Sequence, residues 1–283
     1  ESADYVRHVV RSALVRMIEE ARQDETTAAA NAADAKVLLQ GLALEVRLAE
    51  DELNSGDVDG GLTLSEACDN AHSFLIAGFE TAAALCIYTT FHLAHHPHVQ
   101  DAVRQELGAS GLGGELLGQC LAETLRVCPP VLSLPRAVTQ EGGITIDVCN
   151  RCVADRTARM EEQEVGGATV ECDHKQIKVP EGGVLQFDVI SGSGLEVNPK
   201  WDPLHSLDSE ERPRGCPFGL GPRACPAGSL SLITARAWVS TLLAKYRVDP
   251  LPDLPGPDDW RSRSECAPTL RFMTPLCVVL TPL

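Results

Sequence analysis

A glycine-rich loop that ends in a cysteine, directly before an apolar helical pattern, constrains this chain more than any other stretch. The loop runs Pro217-Phe218-Gly219-Leu220-Gly221-Pro222-Arg223-Ala224-Cys225, and Pro226 follows as the predicted first residue of a helix. A cysteine at this point faces unpaired backbone N–H groups and the positive end of the helix dipole, which stabilise its thiolate. The pattern therefore predicts that Cys225 binds a metal. The apolar positions that predict the helix are Leu230, Ile233, Ala237, Val239, Leu242 and Leu243.

The other residues of the loop suit a flat ligand that carries carboxylates. Gly219 and Gly221 lack Cβ atoms, so their backbone can take φ > 0 and lie close against a planar group. Phe218 can pack near that group, and the guanidinium of Arg223 can bind a carboxylate. A lone cysteine is more often a buried structural thiol, and it is the spacing of the flanking residues that favours a ligand here.

At these residues the chain resembles the cytochrome P450 family, whose haem loop has Phe, two Gly, Arg and Cys at this spacing. The family has a small residue two positions after the cysteine, usually glycine, and Ala227 stands there in this chain. The resemblance implies that Cys225 is the axial thiolate ligand of haem, iron protoporphyrin IX. It also implies that Phe218, Gly219, Gly221 and Arg223 surround the cofactor. A thiolate on haem iron favours cleavage of the O–O bond.

A long helix is predicted upstream of this loop. Thr63-Leu64-Ser65-Glu66 has the pattern of a capping box, and apolar positions continue from there to about Ala94. Gly78 costs about 1 kcal/mol relative to alanine within a helix. The hydroxyl of Thr81 can bond back to the Ala77 carbonyl, so we expect the helix to be loosened or bent there.

The middle of this helix, Ala77-Gly78-Phe79-Glu80-Thr81, resembles the distal-helix motif of the same family. The resemblance implies that Gly78 lies beside the haem and that Glu80 and Thr81 relay protons to oxygen bound at the iron. The alternative is a glycine that allows close helix packing, next to an ordinary Glu and Thr.

Glu123 and Arg126 lie three residues apart on a short helix that two prolines end, so they share a face and can form an ion pair. Apolar neighbours predict that the pair is buried and fixes geometry rather than adding stability. This resembles the Glu-x-x-Arg helix of the family, and the resemblance implies Arg136 as a propionate-binding residue. Arg212 would complete the network, although Pro213 stands where the family has Phe.

The region after Ala137 is predicted to form short strands over 144–148, 177–179 and 183–187, and 269–272 with 276–281 is predicted to form a terminal hairpin. Between the first two strands, Cys149, Cys152, Cys172 and His174 could supply four zinc ligands, or the segment is an insertion with incidental thiols. A metal site at His95, His96 and His98 is the weaker alternative to histidines that suit the end of a helix.

Charge and cysteine content limit the partners and the compartment. The formal net charge of −16 over 283 residues argues against nucleic acid. The eleven cysteines are scattered rather than arranged as a disulfide framework, and the chain has neither a signal peptide nor an evident membrane span, so we expect a cytoplasmic protein, or a membrane-associated one if an upstream anchor has been lost. Basic residues near the cysteine loop could bind an acidic electron donor. They are Arg212, Arg214, Arg223, Arg236, Lys245 and Arg247.

These patterns together predict a mainly α fold with a small β region. Residues 1–61 are expected to form a helical amino-terminal segment and 62–283 a P450-like haem-binding region, with an insertion at about 142–176 and without the family's amino-terminal half. The resemblance implies a haem-thiolate monooxygenase that inserts one oxygen atom of O2 into an apolar organic substrate. Electrons would come from NAD(P)H through a reductase or a ferredoxin-type donor.

Two alternatives stay open on the sequence. One is a truncated or divergent product with weak or no haem binding, which acts as a binding module stabilised by zinc. The other keeps the haem but rearranges peroxides without a reductase, although Thr81 argues against it.

Overall fold

The computed structural model describes residues 2–23, 46, 62–110, 114–149, 174–189, 200–204, 215–254, 256–257, 259–266 and 269–283. The chain forms two compact units, Glu1–Glu80 and Thr81–Leu283, and each is described by itself. The helices are α1 (Ser2–Gln23), α2 (Leu64–His95), α3 (Pro97–Ser110), α4 (Glu115–Val127) and α5 (Gly228–Lys245). The strands are β1 (Ser133–Ala137), β2 (Ile144–Cys149), β3 (His174–Val179), β4 (Val184–Asp188), β5 (Tyr246–Pro250), β6 (Ser264–Cys266), β7 (Leu270–Phe272) and β8 (Val278–Pro282).

The first unit pairs α1 with the first half of α2. One side of α1 is buried through Val10, Leu14 and Ile18, which cluster with Ala67 and Ala71 of α2. These apolar residues of α1 recur every four positions, as on the buried side of an amphipathic helix. The amino-terminal segment is predicted to be helical to residue 61, and of residues 24–61 the structure describes only Val46, which is helical.

The predicted capping box is present at the start of α2. The backbone N–H of Thr63 donates to Glu66 Oε2 at 2.9 Å, and the N–H of Glu66 donates back to Thr63 Oγ1 at 3.3 Å. From this start α2 continues as one helix to His95, through Gly78. By length and apolar composition α2 is the one helix in the described part of the chain that could cross a membrane. A core helix meets the same criterion, and residues 88–94 of α2 are all buried.

The second unit is built around the second half of α2. Tyr88, Phe91 and Leu93 of this helix are almost fully buried in one cluster with residues of α3, α4, α5 and β5. Tyr88 stacks on Phe272 of β7 with ring centroids 4.7 Å apart, and its hydroxyl shares a 2.7 Å hydrogen bond with Ser264 Oγ. Burial raises the pKa of Tyr88, so the phenol stays protonated.

The strands form antiparallel pairs, and the one expected pairing is corrected. β1 pairs with β4 and β2 with β3; strands are predicted at β2, β3 and β4, whereas β1 is not predicted. The predicted terminal hairpin is wrong, because β7 pairs with β6 and β8 pairs with β5. Alternating side chains show that a segment is a strand but not which strand it meets. β5 follows α5 directly and offers β8 a ladder around the buried Val248.

A buried glutamine joins α3 to β5, and no pattern in the sequence indicated it. Gln100 is 1% exposed, and its amide pairs with the backbone of Val248: Nε2 donates to the Val248 carbonyl at 2.8 Å, and Oε1 accepts the Val248 N–H at 3.0 Å. One turn later, Arg104 donates to the carbonyls of Leu243 and Tyr246, at the carboxyl end of α5. Together these bonds fix where α5 ends.

We predict that Gln100→Leu destabilises the fold by about 2–4 kcal/mol, because both backbone groups of Val248 lose their buried partner. Chemical denaturation of the full chain measures this. Gln105→Leu, at an exposed position of the same helix, is the matched control and should change the free energy of unfolding by less than about 0.5 kcal/mol. Equal effects of the two substitutions would contradict the role given to Gln100.

Candidate functional site

The cysteine loop has the backbone geometry expected from its glycines. Gly219 and Gly221 adopt φ of +70° and +71°, in the left-handed region that residues with a Cβ rarely occupy. The Cys225 N–H donates to the Phe218 carbonyl at 2.8 Å, and the Ala224 N–H donates to the Gly221 carbonyl at 3.0 Å. Cys225 itself is exposed. The loop therefore uses the backbone of Cys225 for its own closure and leaves the thiol accessible to a ligand.

Helix α5 starts later than predicted. Pro226 and Ala227 form a turn, and the first helical residue is Gly228. The ring of Phe218 packs closely on this first helical residue, so that a Cβ at Gly228 would lie 3.3 Å from a ring carbon.

The predicted apolar side of α5 is also only partly buried. Leu230 and Ile233 are 64% and 65% exposed, whereas Ala235, Val239 and Leu243 are almost fully buried. The helix is apolar on more than one side, so periodicity alone did not identify the side that faces the core.

Phe218 connects the loop to the core of the second unit. It packs against a small cluster that joins α2, α4 and α5, formed by Leu85, Leu121, Leu125 and Ala235. The loop also lies beside β1, because a Cβ added at Gly219 would be 3.5 Å from Leu134 Cδ1. Two positions further along β1 is Arg136, half-buried, whose Nη1 donates to the Pro135 carbonyl at 2.8 Å. The strand of Arg136 and the cysteine loop are thus neighbours.

The remaining cationic residue of the predicted site, Arg223, is exposed at the end of the one-turn helix Gly221–Arg223. It follows the two positive-φ glycines and precedes Cys225 by two residues. A guanidinium at this position is free to turn toward a carboxylate without breaking the loop's backbone hydrogen bonds.

The distal motif divides between the two units, with Gly78 and Glu80 in the first and Thr81 in the second. A Cβ added at Gly78 would meet no atom within 4 Å, so the described residues give no packing reason for a glycine there. The neighbouring Phe79 is 75% exposed. The expected bend at this point and the proton-relay roles of Glu80 and Thr81 stay predictions.

Glu123 and Arg126 form a buried, bidentate ion pair. Arg126 Nε donates to Glu123 Oε2 at 2.8 Å and Nη2 donates to Oε1 at 2.7 Å, with side chains only 3% and 8% exposed for Glu123 and Arg126 respectively. Arg126 Nη2 also donates to the Lys200 carbonyl at 2.9 Å, and Glu123 Oε1 accepts the Asp202 N–H at 3.1 Å. The expected third member, Arg212, lies outside the described residues.

Sequence reasoning missed three further members of this network. Trp201 Nε1 donates to Thr124 Oγ1 at 3.1 Å, and the indole of Trp201 stacks on the buried imidazole of His92, with ring centroids 5.1 Å apart and planes 3° apart. Thr124 lies inside the Glu-x-x-Arg pattern and Trp201 precedes a recognisable Asp-Pro, so both carried a weak signal. His92 carried none.

The histidines after α2 serve the end of the helix, as the favoured interpretation predicts. His95 Nδ1 donates to the Phe91 carbonyl at 2.9 Å and His96 Nδ1 to the His92 carbonyl at 2.7 Å. Among the residues that the structure describes, no group of three or more His, Cys, Asp or Glu side chains could hold a metal ion. Of the predicted zinc ligands, Cys149 and His174 are opposite each other in the β2–β3 register, and Cys152 and Cys172 lie outside the described residues.

Comparison with known proteins decides the family. The family model described as Cytochrome P450 matches residues 2–147, more than half of the chain. The chain belongs to the cytochrome P450 family. The match begins in α1, ahead of the motifs that carried the resemblance, and it ends before the cysteine loop.

Curated P450 relatives align with most of the chain at low identity. Secologanin synthase 2 of Catharanthus roseus is 24% identical over 227 residues, covering 76% of this chain and 39% of the relative. Thromboxane-A synthase of Rattus norvegicus is 25% identical over 232 residues, covering 73% of this chain and 37% of the relative. The chain therefore spans about 39% or less of the length of these relatives.

A solved P450 structure shares the fold. Cyanobacterial CYP120A1 with bound retinoic acid matches 98% of this chain and 56% of its own, with a TM-score of 0.65 and 19% identity. The predicted fold class, mainly α with a small β region and P450-like, is confirmed. The family and its fold imply haem as the cofactor. An accessible soft thiol, two positive-φ glycines and two nearby arginines are a donor set that fits this group.

We predict that Glu123→Gln destabilises the second unit by about 3–5 kcal/mol, because the Arg126 guanidinium would keep its buried charge without a counter-ion. Thermal and chemical unfolding measure the change. The double variant Glu123→Gln with Arg126→Met should lose less than the sum of the single losses, since it removes both charges.

The exposed pair of Glu265 and Arg271 supplies the control. Their side chains are 45% and 56% exposed at a 3.0 Å separation, so Glu265→Gln should cost less than about 1 kcal/mol. A cost for Glu123→Gln no larger than that of this control would refute the importance of the buried pair.

Proposed function

We propose that the chain is the haem-binding part of a cytochrome P450 monooxygenase, with Cys225 as the axial thiolate ligand of the iron. The observation that carries this is an exposed thiol at the end of a loop whose backbone is closed by its own hydrogen bonds, in a member of a haem-thiolate family. A buried structural cysteine would instead be packed, as Cys120 and Cys128 are.

Residues of the cysteine loop and of strand β1 would hold different parts of the cofactor. Gly219 and Gly221 would let the backbone approach the macrocycle. Phe218 supports the loop by packing on the cluster of Leu85, Leu121, Leu125 and Ala235. Arg223 and Arg136 would bind the propionates, with the planar fork that suits carboxylates. When bound, haem supplies the activation of dioxygen that no side chain of this chain can provide.

The distal residues would serve the oxygen side of the cofactor. We assign Gly78 to the close approach of α2, because the described residues give no packing reason for its missing Cβ. Glu80 and Thr81 would hold and move protons, the carboxylate as an exchanging acid and the hydroxyl as a proton donor. The exposed apolar side chains beside them, such as Phe79, suit an apolar organic substrate.

Electrons would come from NAD(P)H through a reductase or ferredoxin-type donor, as is general in this family. An acidic donor needs exposed cations near the cysteine loop, and Arg223 is exposed in the loop itself. Lys245 and Arg247 are exposed at the other end of α5, where Arg247 Nε donates to Asp249 Oδ1 at 3.0 Å. Arg236 is not available for this role, because its Nη1 donates to the Gly114 carbonyl at 2.9 Å. Arg212 and Arg214 lie outside the described residues.

We predict that the chain, expressed with excess haem and reduced under carbon monoxide, gives the red-shifted Soret band of thiolate-ligated haem, and that Cys225→Ser abolishes this band. Cys277→Ser, at another exposed cysteine, is the matched control and should leave the band unchanged. Difference spectra and the haem-to-protein ratio are the measurements.

A band that survives in Cys225→Ser would place the ligand elsewhere and contradict the proposal. Stoichiometric zinc with no bound haem, by metal analysis of the same preparation, would favour the alternative of a zinc-stabilised binding module.

A further inference from the structure

His92 occupies a buried site between three elements. It lies in the last turn of α2 with no exposed surface, and its ring stacks on Trp201 of the 200–204 segment. Its Nε2 is 3.4 Å from the Sγ of Cys128, which follows α4. Its Nδ1 has no hydrogen-bond partner among the described residues. A neutral imidazole tolerates this site, but an imidazolium has two N–H donors and would leave one of them buried and unpaired.

The charged and titratable groups around His92 do not offset the positive charge that a second ring proton would bring. On α2 itself, His95 and His96 oppose a positive charge at His92. The groups that act on Cys128, across from His92, are the cations Arg126 and Arg261 and the anion Glu123. Glu123 already accepts from Arg126 and from the Asp202 N–H, and Asp202 Oδ1 already accepts the Leu204 N–H.

We propose that His92 is an acid-sensitive contact that holds the 200–204 segment against the ends of α2 and α4. While His92 is neutral, the ring stack keeps Trp201 in place, and Trp201 in turn donates to Thr124. Protonation favours any state in which the imidazolium reaches water, and release of the segment that stacks on the ring would provide such a state. Release of the segment would also break the hydrogen bonds that the backbone of Lys200 and Asp202 makes with Arg126 and Glu123.

The direction of titration agrees with this geometry. Burial lowers the pKa of His92 well below the usual value, with His96 and His95 adding to the effect. While the 200–204 segment is in place, His92 stays neutral. Once the segment is released (the open state), His92 binds a proton below a pH of about 6.5. The equilibrium constant for opening should rise by up to tenfold per pH unit below that value, and should be independent of pH above it.

Hydrogen–deuterium exchange of the full chain, followed by mass spectrometry between pH 5 and 8, tests the proposal without haem or activity. The readout is the protection of the amides around Trp201 and Asp202, corrected for the intrinsic pH dependence of exchange. We expect protection to fall as the pH drops below about 6.5, and to fall first there rather than in peptides from α3. His92→Phe keeps a ring against Trp201 but cannot titrate, so its protection should be independent of pH.

His96→Gln and His98→Gln are the comparisons, since both keep His92. His96→Gln removes a second ring whose centroid lies 5.0 Å from that of Trp201, and His98→Gln removes the exposed imidazole beside His96. They should retain the loss of protection in acid. A loss that persists in His92→Phe, or that disappears only in His96→Gln, would overturn the proposal. If His92→Phe does not fold, exchange at the imidazole C2 position in the unmodified chain decides instead: a measured His92 pKa at or above the usual value of about 6.5 would refute the inference.

Discussion

The buried ion pair of Glu123 and Arg126 is the constraint on which the second unit depends. Two charges removed from water on adjacent turns of α4 are costly, and their mutual attraction offsets that cost only if the remaining donors and acceptors are also satisfied. Here they are satisfied by the backbone of Lys200 and Asp202. The pair therefore fixes the position of the 200–204 segment more than it adds to stability. If the segment moved away, the buried charges of Arg126 and Glu123 would lose their hydrogen bonds to the backbone of Lys200 and Asp202.

The cysteine loop also depends on α4, the helix that carries the ion pair. Phe218 packs on the cluster of Leu85, Leu121 and Ala235, and α4 supplies the middle of these three residues as well as the ion pair. One helix thus supports both the loop that ends in Cys225 and the segment at Lys200. Because the loop closes through backbone hydrogen bonds, its shape needs no contribution from the cysteine side chain, which is what allows the thiol to remain exposed.

Features encoded in a few neighbouring residues could be predicted from the sequence, and features that join distant segments could not. The capping box at Thr63, the Glu123–Arg126 contact and the glycine conformations at 219 and 221 each follow from local spacing. The close contact of Gly228 with Phe218 joins residues ten positions apart, and the partner of β8 is a strand about thirty residues away. Gln100 and His92 have no local pattern, because their partners at Val248 and Trp201 are brought to them by the fold.

The boundary between the two units falls between Glu80 and Thr81, inside the distal motif. The residues proposed to hold the haem iron and propionates, Cys225, Arg223 and Arg136, all belong to the second unit, and so do the core cluster and the buried ion pair that support them. The carboxylate of the proposed proton relay belongs to the first unit and its hydroxyl to the second. The proposed iron ligand and propionate ligands therefore lie in the second unit alone, whereas the proposed proton relay takes one residue from each unit. The described support of the ligand loop, which is the cluster around Phe218 and the hydrogen bonds of the loop's own backbone, comes from the second unit.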